Sequence, residues 1–190
     1  MTRGPRVPPR RLLLVGMMGA GKTTIGNRLA HRLGWRYVDS DDEVEASTGQ
    51  TVKEIFEAGG ERAFRPLERE ALVAALEGDE PAVVSVAGGA VIDPANRALL
   101  RRAGTVVWLR ARPDTLFSRV RADTVAAASG LPGADDHRPL LERDPKGTLA
   151  RLDAERRPFY EDVADVVVDV DDLAPGAVAD QVLERVEALR

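Results

Sequence analysis

An α/β fold, three layers deep around a central parallel sheet of five strands, is what this 190-residue chain predicts. Three observations carry that expectation. Short apolar runs alternate with amphipathic stretches down the chain, as in repeated β-α units whose crossovers make the strands parallel. The first apolar run, Leu12 to Val15, leads directly into Gly16-Met-Met-Gly19-Ala-Gly21-Lys22-Thr23-Thr24, a glycine-rich strand-to-helix junction. An apolar content of 44% at this length suffices for one sizeable core, and no shift in composition marks a second.

The elements follow in order. Residues 1–10, with three prolines, a glycine and several arginines, are expected to be a frayed tail ahead of a single domain over 11–190. The apolar run at 11–15 is the first strand, and the helical period after it gives a helix at 22–33. A strand at 36–39 ends in the polar run Asp39 to Asp42. Helices are expected at 43–47, 52–58 and within 61–76. Strands at 82–86, 105–109 and 165–169 alternate with helices at 94–102, 113–121, 146–163 and 175–189. Asp93-Pro94 and Asp144-Pro145 each set a proline after a polar residue, a helix-start signal. The stretch 122–143 breaks the pattern with glycines, prolines, aspartates and an alanine run. It reads as a mobile loop, of the kind that serves as a lid where water must be excluded from a transferring group.

Composition excludes several classes. A net charge of -4 argues against nucleic acid as a partner. With no cysteine there is neither disulfide nor thiol chemistry, and a metal must be held by oxygen. Arg3, Arg6, Arg10 and Arg11 ahead of Leu12 to Met18 imitate a secretion leader. That apolar run is short, is broken by Gly16 and Gly19 and runs into Lys22, so no leader is expected. Nothing approaches the roughly 20 apolar residues of a membrane span.

The junction at 16–24 fits G-x-x-x-x-G-K-[ST], a phosphate-binding loop. Glycines let successive backbone N–H groups turn toward a polyphosphate, Lys22 adds a point charge, and the next helix aims its positive end there. Thr23 offers the hydroxyl that such loops place on Mg²⁺. The motif points to a nucleoside triphosphate. Ligands in parallel sheets collect at the carboxyl ends of strands, where Asp39 and Asp41 stand. In an extended D-x-D pair the two carboxylates point the same way, one for the metal shell and one for an acceptor hydroxyl; helix capping is the alternative. Gly88 and Gly89, after the third strand, allow close backbone approach to a small ligand or form a plain turn. Arg65, Arg138 and Arg156 come from separate segments and could converge on one anion, since guanidinium forks suit carboxylate and phosphate. His31 and His137 sit in no constellation and are expected at the surface.

Together these motifs resemble the shikimate kinase family from about Leu12 to the last helix. The chain shows GMMGAGKTTIG at 16–26, DSD at 39–41, GERAFRPLE at 60–68, AGGA at 87–90, RPLL at 138–141 and ERRPFY at 155–160. The phosphate loop is widespread; the later elements in this order are far more specific. The resemblance implies a P-loop kinase fold with a mobile lid over 122–143 and an acceptor-binding segment at about 41–70. It implies ATP-dependent phosphorylation of the 3-hydroxyl of shikimate, a step toward chorismate and the aromatic amino acids, with Mg²⁺. Gly19, Ala20, Gly21, Lys22, Thr23 and Thr24 would hold the phosphates, Lys22 on the transferring group. Thr23 and Asp39 would serve the metal, and Asp41 the acceptor hydroxyls and their proton. Arg65 and Arg156, with Gly88 and Gly89, would clamp the shikimate carboxylate, and Glu68 would orient Arg65. Arg138 in the lid would reach phosphates and substrate, while Arg119 and the region of Pro175 would flank adenine. A cytoplasmic monomer is expected, with small molecules rather than nucleic acid or membrane as partners.

Three departures from the family stand out. Ala87 replaces the first of three glycines, a strain if that position needs a positive φ. Pro66 follows Arg65 inside an expected helix, which would start late or kink there. The lid is longer than in compact members. The rival readings are a gluconate-kinase-like enzyme of another polyol acid or of a cyclitol, and an inactive nucleotide-binding regulator. Nucleoside monophosphate kinases share the loop, but the chain lacks their acceptor segments.

Overall fold

The computed structural model describes residues 10–128 and 144–189. The expected tail up to residue 9, and residues 129–143 of the expected lid with His137 and Arg138, lie outside the described residues.

Strands β1 (Arg11–Val15), β2 (Arg36–Asp39), β3 (Ala82–Ser85), β4 (Thr105–Arg110) and β5 (Val166–Asp169) form one parallel sheet in the order β2-β3-β1-β4-β5. The inner strands are apolar and buried over 12–15, 82–84 and 106–109, as strands covered on both faces must be. From β1 the chain crosses past β3 to the β2 edge, and every later connection moves the other way. With right-handed crossovers, the first helix therefore lies on one face and the later crossover helices on the other. Accordingly α1 (Lys22–Leu33) packs on β2, β3 and the final helix α7 (Pro175–Glu187). On the other face α4 (Pro94–Ala103) and α6 (Pro145–Val163) pack on β4 and on each other. The change of direction at β1 opens a crevice at the carboxyl ends of the strands. Leu14 pairs with Ser85 and Val107, and Asp39 with Ser85, so these ends finish at one level.

Local signals set the helix starts. Asp93 accepts from the Ala95 N–H and Asp144 from the Gly147 N–H, each followed by proline in the first turn. Thr51 and Glu54 form a capping box at the start of α3 (Val52–Ala75). A small second core of Val44, Ile55, Phe64 and Ala71 joins α3 to α2 (Ser40–Thr48).

Four expectations need correction. First, α2 starts at Ser40 rather than 43, because the Asp39 carboxylate accepts from the Asp41 N–H at 3.1 Å and caps it. Asp39 and Asp41 are thus not an extended D-x-D pair: one caps the helix and the other lies in its first turn. Second, α3 breaks not at Pro66 but at Gly60, its one non-helical residue (φ 63°, ψ -165°). Pro66 is exposed and leaves the carbonyl of the equally exposed Arg62 to water. Third, α5 (Pro113–Ala128) runs seven residues past the expected end at 121. An alanine run propagates helix without any apolar period, since alanine has the highest helix propensity. Fourth, no non-glycine residue among those described has a positive φ, so Ala87 carries no such strain. The two-helix expectation for 52–58 and 61–76 is met at the Gly60 break, and no described helix is long and apolar enough to cross a membrane.

A Cβ at Gly60 would meet nothing within 4 Å, so only its backbone conformation demands glycine. Gly60→Ala should lower stability by about 1–3 kcal/mol, read as a shift in the urea midpoint with unchanged slope.

Candidate active site

The crevice is built around the junction of β1 and α1. Gly16, Gly19 and Gly21 have φ of 146°, 80° and 91°, a path that residues with a Cβ rarely follow. Gly21 is the N-cap of α1, so no capping side chain serves the first N–H groups and they are left for an anion. Lys22 Nζ donates to the carbonyls of Gly16 (3.0 Å) and Met17 (3.3 Å), curling its charge over the loop. Thr23 and Thr24 are exposed in the first turn of α1, and Ala20 is buried beneath the loop. Arg119 of α5 stands on the far side. Its guanidinium donates to the carbonyls of Gly19 and Ala20 at 3.5 Å and of Val170 at 2.5 Å, bridging the loop and the segment that leads to Pro175.

Asp39 is the hub of the second wall. Its Oδ1 holds the α2 cap, while Oδ2 accepts from the Tyr37 hydroxyl (2.9 Å) and from Thr23 Oγ1 (3.5 Å). Burial first, and the neighbouring Asp39 charge second, push the Tyr37 phenol above its ordinary value, so it stays protonated. Ser40, next along, is buried and accepts from the Ala87 N–H at 2.9 Å. That bond ties the end of β2 to the turn after β3. Asp41 is half-buried at the start of α2, one residue beyond this tie.

The third wall is cationic. Arg65 Nη1 donates to both oxygens of Glu68 (2.9 and 2.7 Å) and Nη2 to Glu61. Glu68 is only 2% exposed; burial pushes its carboxyl above the ordinary range, against the opposing pull of Arg65 and Arg156. Arg156, 3% exposed, approaches from α6, and its Nε has no hydrogen-bond partner among the described residues. Both guanidiniums meet the Gly88-Gly89 turn. A Cβ at Gly89 would lie 2.8 Å from the central carbon of the Arg65 guanidinium, and one at Gly88 would lie 3.5 Å from Arg156 Nη1. The same Gly88 Cβ would be 3.2 Å from the Gly16 carbonyl, so this cationic turn abuts the phosphate loop. Tyr160, fully buried, stacks on Trp108 and donates to the Gly88 carbonyl at 2.7 Å.

Of the residues expected from sequence, Gly19 to Thr24, Asp39, Arg65, Gly88, Gly89, Arg119 and Arg156 come together through the contacts above, and Asp41 follows Ser40 at the start of α2. Arg138 lies outside the described residues, and His31 is exposed. The sequence reading missed the roles of Tyr37, Ser40 and Tyr160. Tyr160 had a signal, since it lies one helical turn from Arg156 and so shares its face. Tyr37 likewise stands two residues before Asp39 on the same face of a strand. An anion at the arginine turn would lie beside a phosphate at the loop, with an aspartate near both.

The family described as shikimate kinase matches residues 18–187. A relative called shikimate kinase, from Symbiobacterium thermophilum, is 44% identical over 93% of this chain and 95% of its own length. The structure of shikimate kinase from Acinetobacter baumannii in complex with shikimate has a TM-score of 0.85, is 33% identical and covers 96% of this chain and 94% of its own. By contrast, a gluconokinase from Sinorhizobium meliloti has a TM-score of 0.57 at 18% identity, covering 97% of this chain and 95% of its own, a likeness of fold alone.

Ser40→Ala would leave the buried Ala87 N–H without an acceptor. It should lower stability by about 1–3 kcal/mol, measured as a denaturant midpoint shift, and Ser40→Thr should recover part of the loss.

Proposed function

The chain belongs to the shikimate kinase family, and from that premise we propose how its own residues carry the reaction. The reaction is the ATP-dependent phosphorylation of shikimate to shikimate 3-phosphate, a step of aromatic amino acid biosynthesis. The observation that carries the assignment of roles is the meeting of Arg65 and Arg156 at Gly88-Gly89, against the phosphate loop. A carboxylate can accept from both guanidiniums at once, including the Arg156 Nε that has no partner among the described residues, which a neutral cyclitol matches less well. The gluconate-kinase-like and inactive-regulator readings are not favoured.

In this reading Gly19 to Thr24 wrap the ATP phosphates, with Lys22 leaving the carbonyls of Gly16 and Met17 for the transferring phosphoryl group. Shikimate docks its carboxylate on Arg65 and Arg156, which turns the ring so that the 3-hydroxyl faces the γ-phosphorus. Asp41 binds that hydroxyl and takes its proton as the oxygen bonds to phosphorus and the bond to the ADP oxygen breaks. The transition state is loose and highly charged, so positioning and charge neutralisation supply most of the acceleration. Arg119 is assigned to the adenine side. Arg138 keeps the part that family resemblance alone assigns it, contact with phosphates and substrate.

Mg²⁺ fits the residues present. The Thr23 hydroxyl and Asp39 carboxylate face each other at 3.5 Å beside the loop, an all-oxygen pair. Among the described residues no three His, Cys, Asp or Glu side chains form a metal cage. That is compatible with Mg²⁺, which keeps several waters and leans on one or two protein oxygens plus substrate phosphates. Thr23 would hold the ion directly and Asp39 through water, and the ion would neutralise phosphate charge during transfer. The reading also takes the protein as a cytoplasmic monomer acting on small molecules, and the net charge of -4 supports a site without nucleic acid.

Purified protein offered ATP with shikimate, gluconate or a neutral cyclitol should release ADP with shikimate alone; release with another acceptor and not with shikimate would sink the assignment. Lys22→Ala and Asp41→Ala should each lower turnover by at least about 100-fold in a coupled ADP assay. Arg65→Ala should raise KM for shikimate about 10- to 100-fold while leaving KM for ATP nearly unchanged.

A further inference from the structure

We propose that Tyr37 is a positioning residue for this reaction, its hydroxyl holding the Asp39 carboxylate in the orientation from which it serves the metal shell. The proposal rests on the reading of Thr23 and Asp39 as the metal-side groups.

Asp39 has two tasks at two oxygens. Oδ1 is committed to the Asp41 N–H at the start of α2. A carboxylate tied at one oxygen can still swing, because the terminal torsion of aspartate is broad. Oδ2 is pinned by the Tyr37 hydroxyl at 2.9 Å, with the Thr23 hydroxyl longer at 3.5 Å. When Thr23 donates its proton to Asp39, its oxygen lone pairs are left for a cation. Tyr37 is therefore the shorter and the stationary donor, since Thr23 must also attend to the metal.

The phenol is itself held. Ser85 of β3 stands opposite Asp39 in the sheet register, closing the far side of the pair. Its ring occupies a slot between β2 and α1 that exists because residue 26 is glycine: a Cβ at Gly26 would overlap the ring. Ring and hydroxyl thus do separable work. The ring fills the slot between helix and sheet, which phenylalanine would fill equally, and only the hydroxyl reaches Asp39.

The test uses Tyr37→Phe, Asp39→Asn and the double variant. Asparagine caps helices as well as aspartate does, so α2 is preserved. Calorimetry of ADP binding at graded Mg²⁺ concentrations reads the metal requirement without turnover, and kinetics give KM for shikimate. Tyr37→Phe should raise the Mg²⁺ concentration for half-maximal ADP binding about three- to tenfold. KM for shikimate and the melting temperature should stay near wild type, and the change should add nothing in the Asp39→Asn background. Wild-type Mg²⁺ dependence in Tyr37→Phe, with Asp39→Asn weakened, overturns the proposal alone. Unchanged Mg²⁺ dependence in Asp39→Asn removes the metal-side reading of Asp39, and the proposal with it. An equal loss for Mg²⁺ and shikimate would make Tyr37 merely structural and also overturn it.

Discussion

Two guanidiniums, Arg65 and Arg156, are brought to one turn of backbone, and like charges at such range repel. The protein sets a single fully buried carboxylate, Glu68, beneath them. Glu61 also pairs with Arg65, but its side chain is about half exposed, where water weakens the attraction. Burial raises the cost of an ionised Glu68, and the two cations lower it again. What remains over Gly88 and Gly89 is a pair of guanidinium forks, with an Arg156 Nε that has no partner among the described residues, suited to a carboxylate.

That pair has meaning only because of where it stands. All five strands are parallel and the inner ones end level, so the loops that follow β1, β2 and β3 share one rim. The change of direction at β1 opens the rim into a crevice. Side-chain bonds then tie these loops to one another and to the helix behind them: Ser40 to Ala87, Thr23 to Asp39 and, from α6, Tyr160 to Gly88, while Tyr37 holds Asp39 from within β2. In phosphoryl transfer small displacements cost large factors in rate, so ties of this kind matter as much as the groups that touch substrate.

Much of the fold could be read from periodicity because strands and helices answer to local pattern. β1, β2 and α1 were expected at their observed bounds. Failures occurred where one side chain or one composition overrode pattern. Asp39, still the last residue of β2, also caps α2 and draws its start back to Ser40, and an alanine run carried α5 to Ala128 without a stripe to announce it. Pro66 looked disruptive, yet it falls on a solvent face, and the break belongs to Gly60, whose φ only glycine adopts readily. On the site, the phosphate loop and the arginines were legible as motifs. Ser40 was not, since its partner Ala87 lies 47 residues away, while Tyr37 and Tyr160 carried only the spacing that sets them on the faces of Asp39 and of Arg156.

Taken alone, the amino-acid order determined the class of fold, the phosphate loop and the inventory of charged groups, because each of these is written in short spacings. Tertiary structure alone decided that Arg65 and Arg156 meet at Gly88-Gly89, that Ser40 binds Ala87, and that Tyr37 and Thr23 share one oxygen of Asp39. Apart from the Tyr37–Asp39 bond within β2, these pairings join residues 16 or more positions apart, and no local periodicity encodes which side chains the closing of a twisted parallel sheet will bring within hydrogen-bond reach.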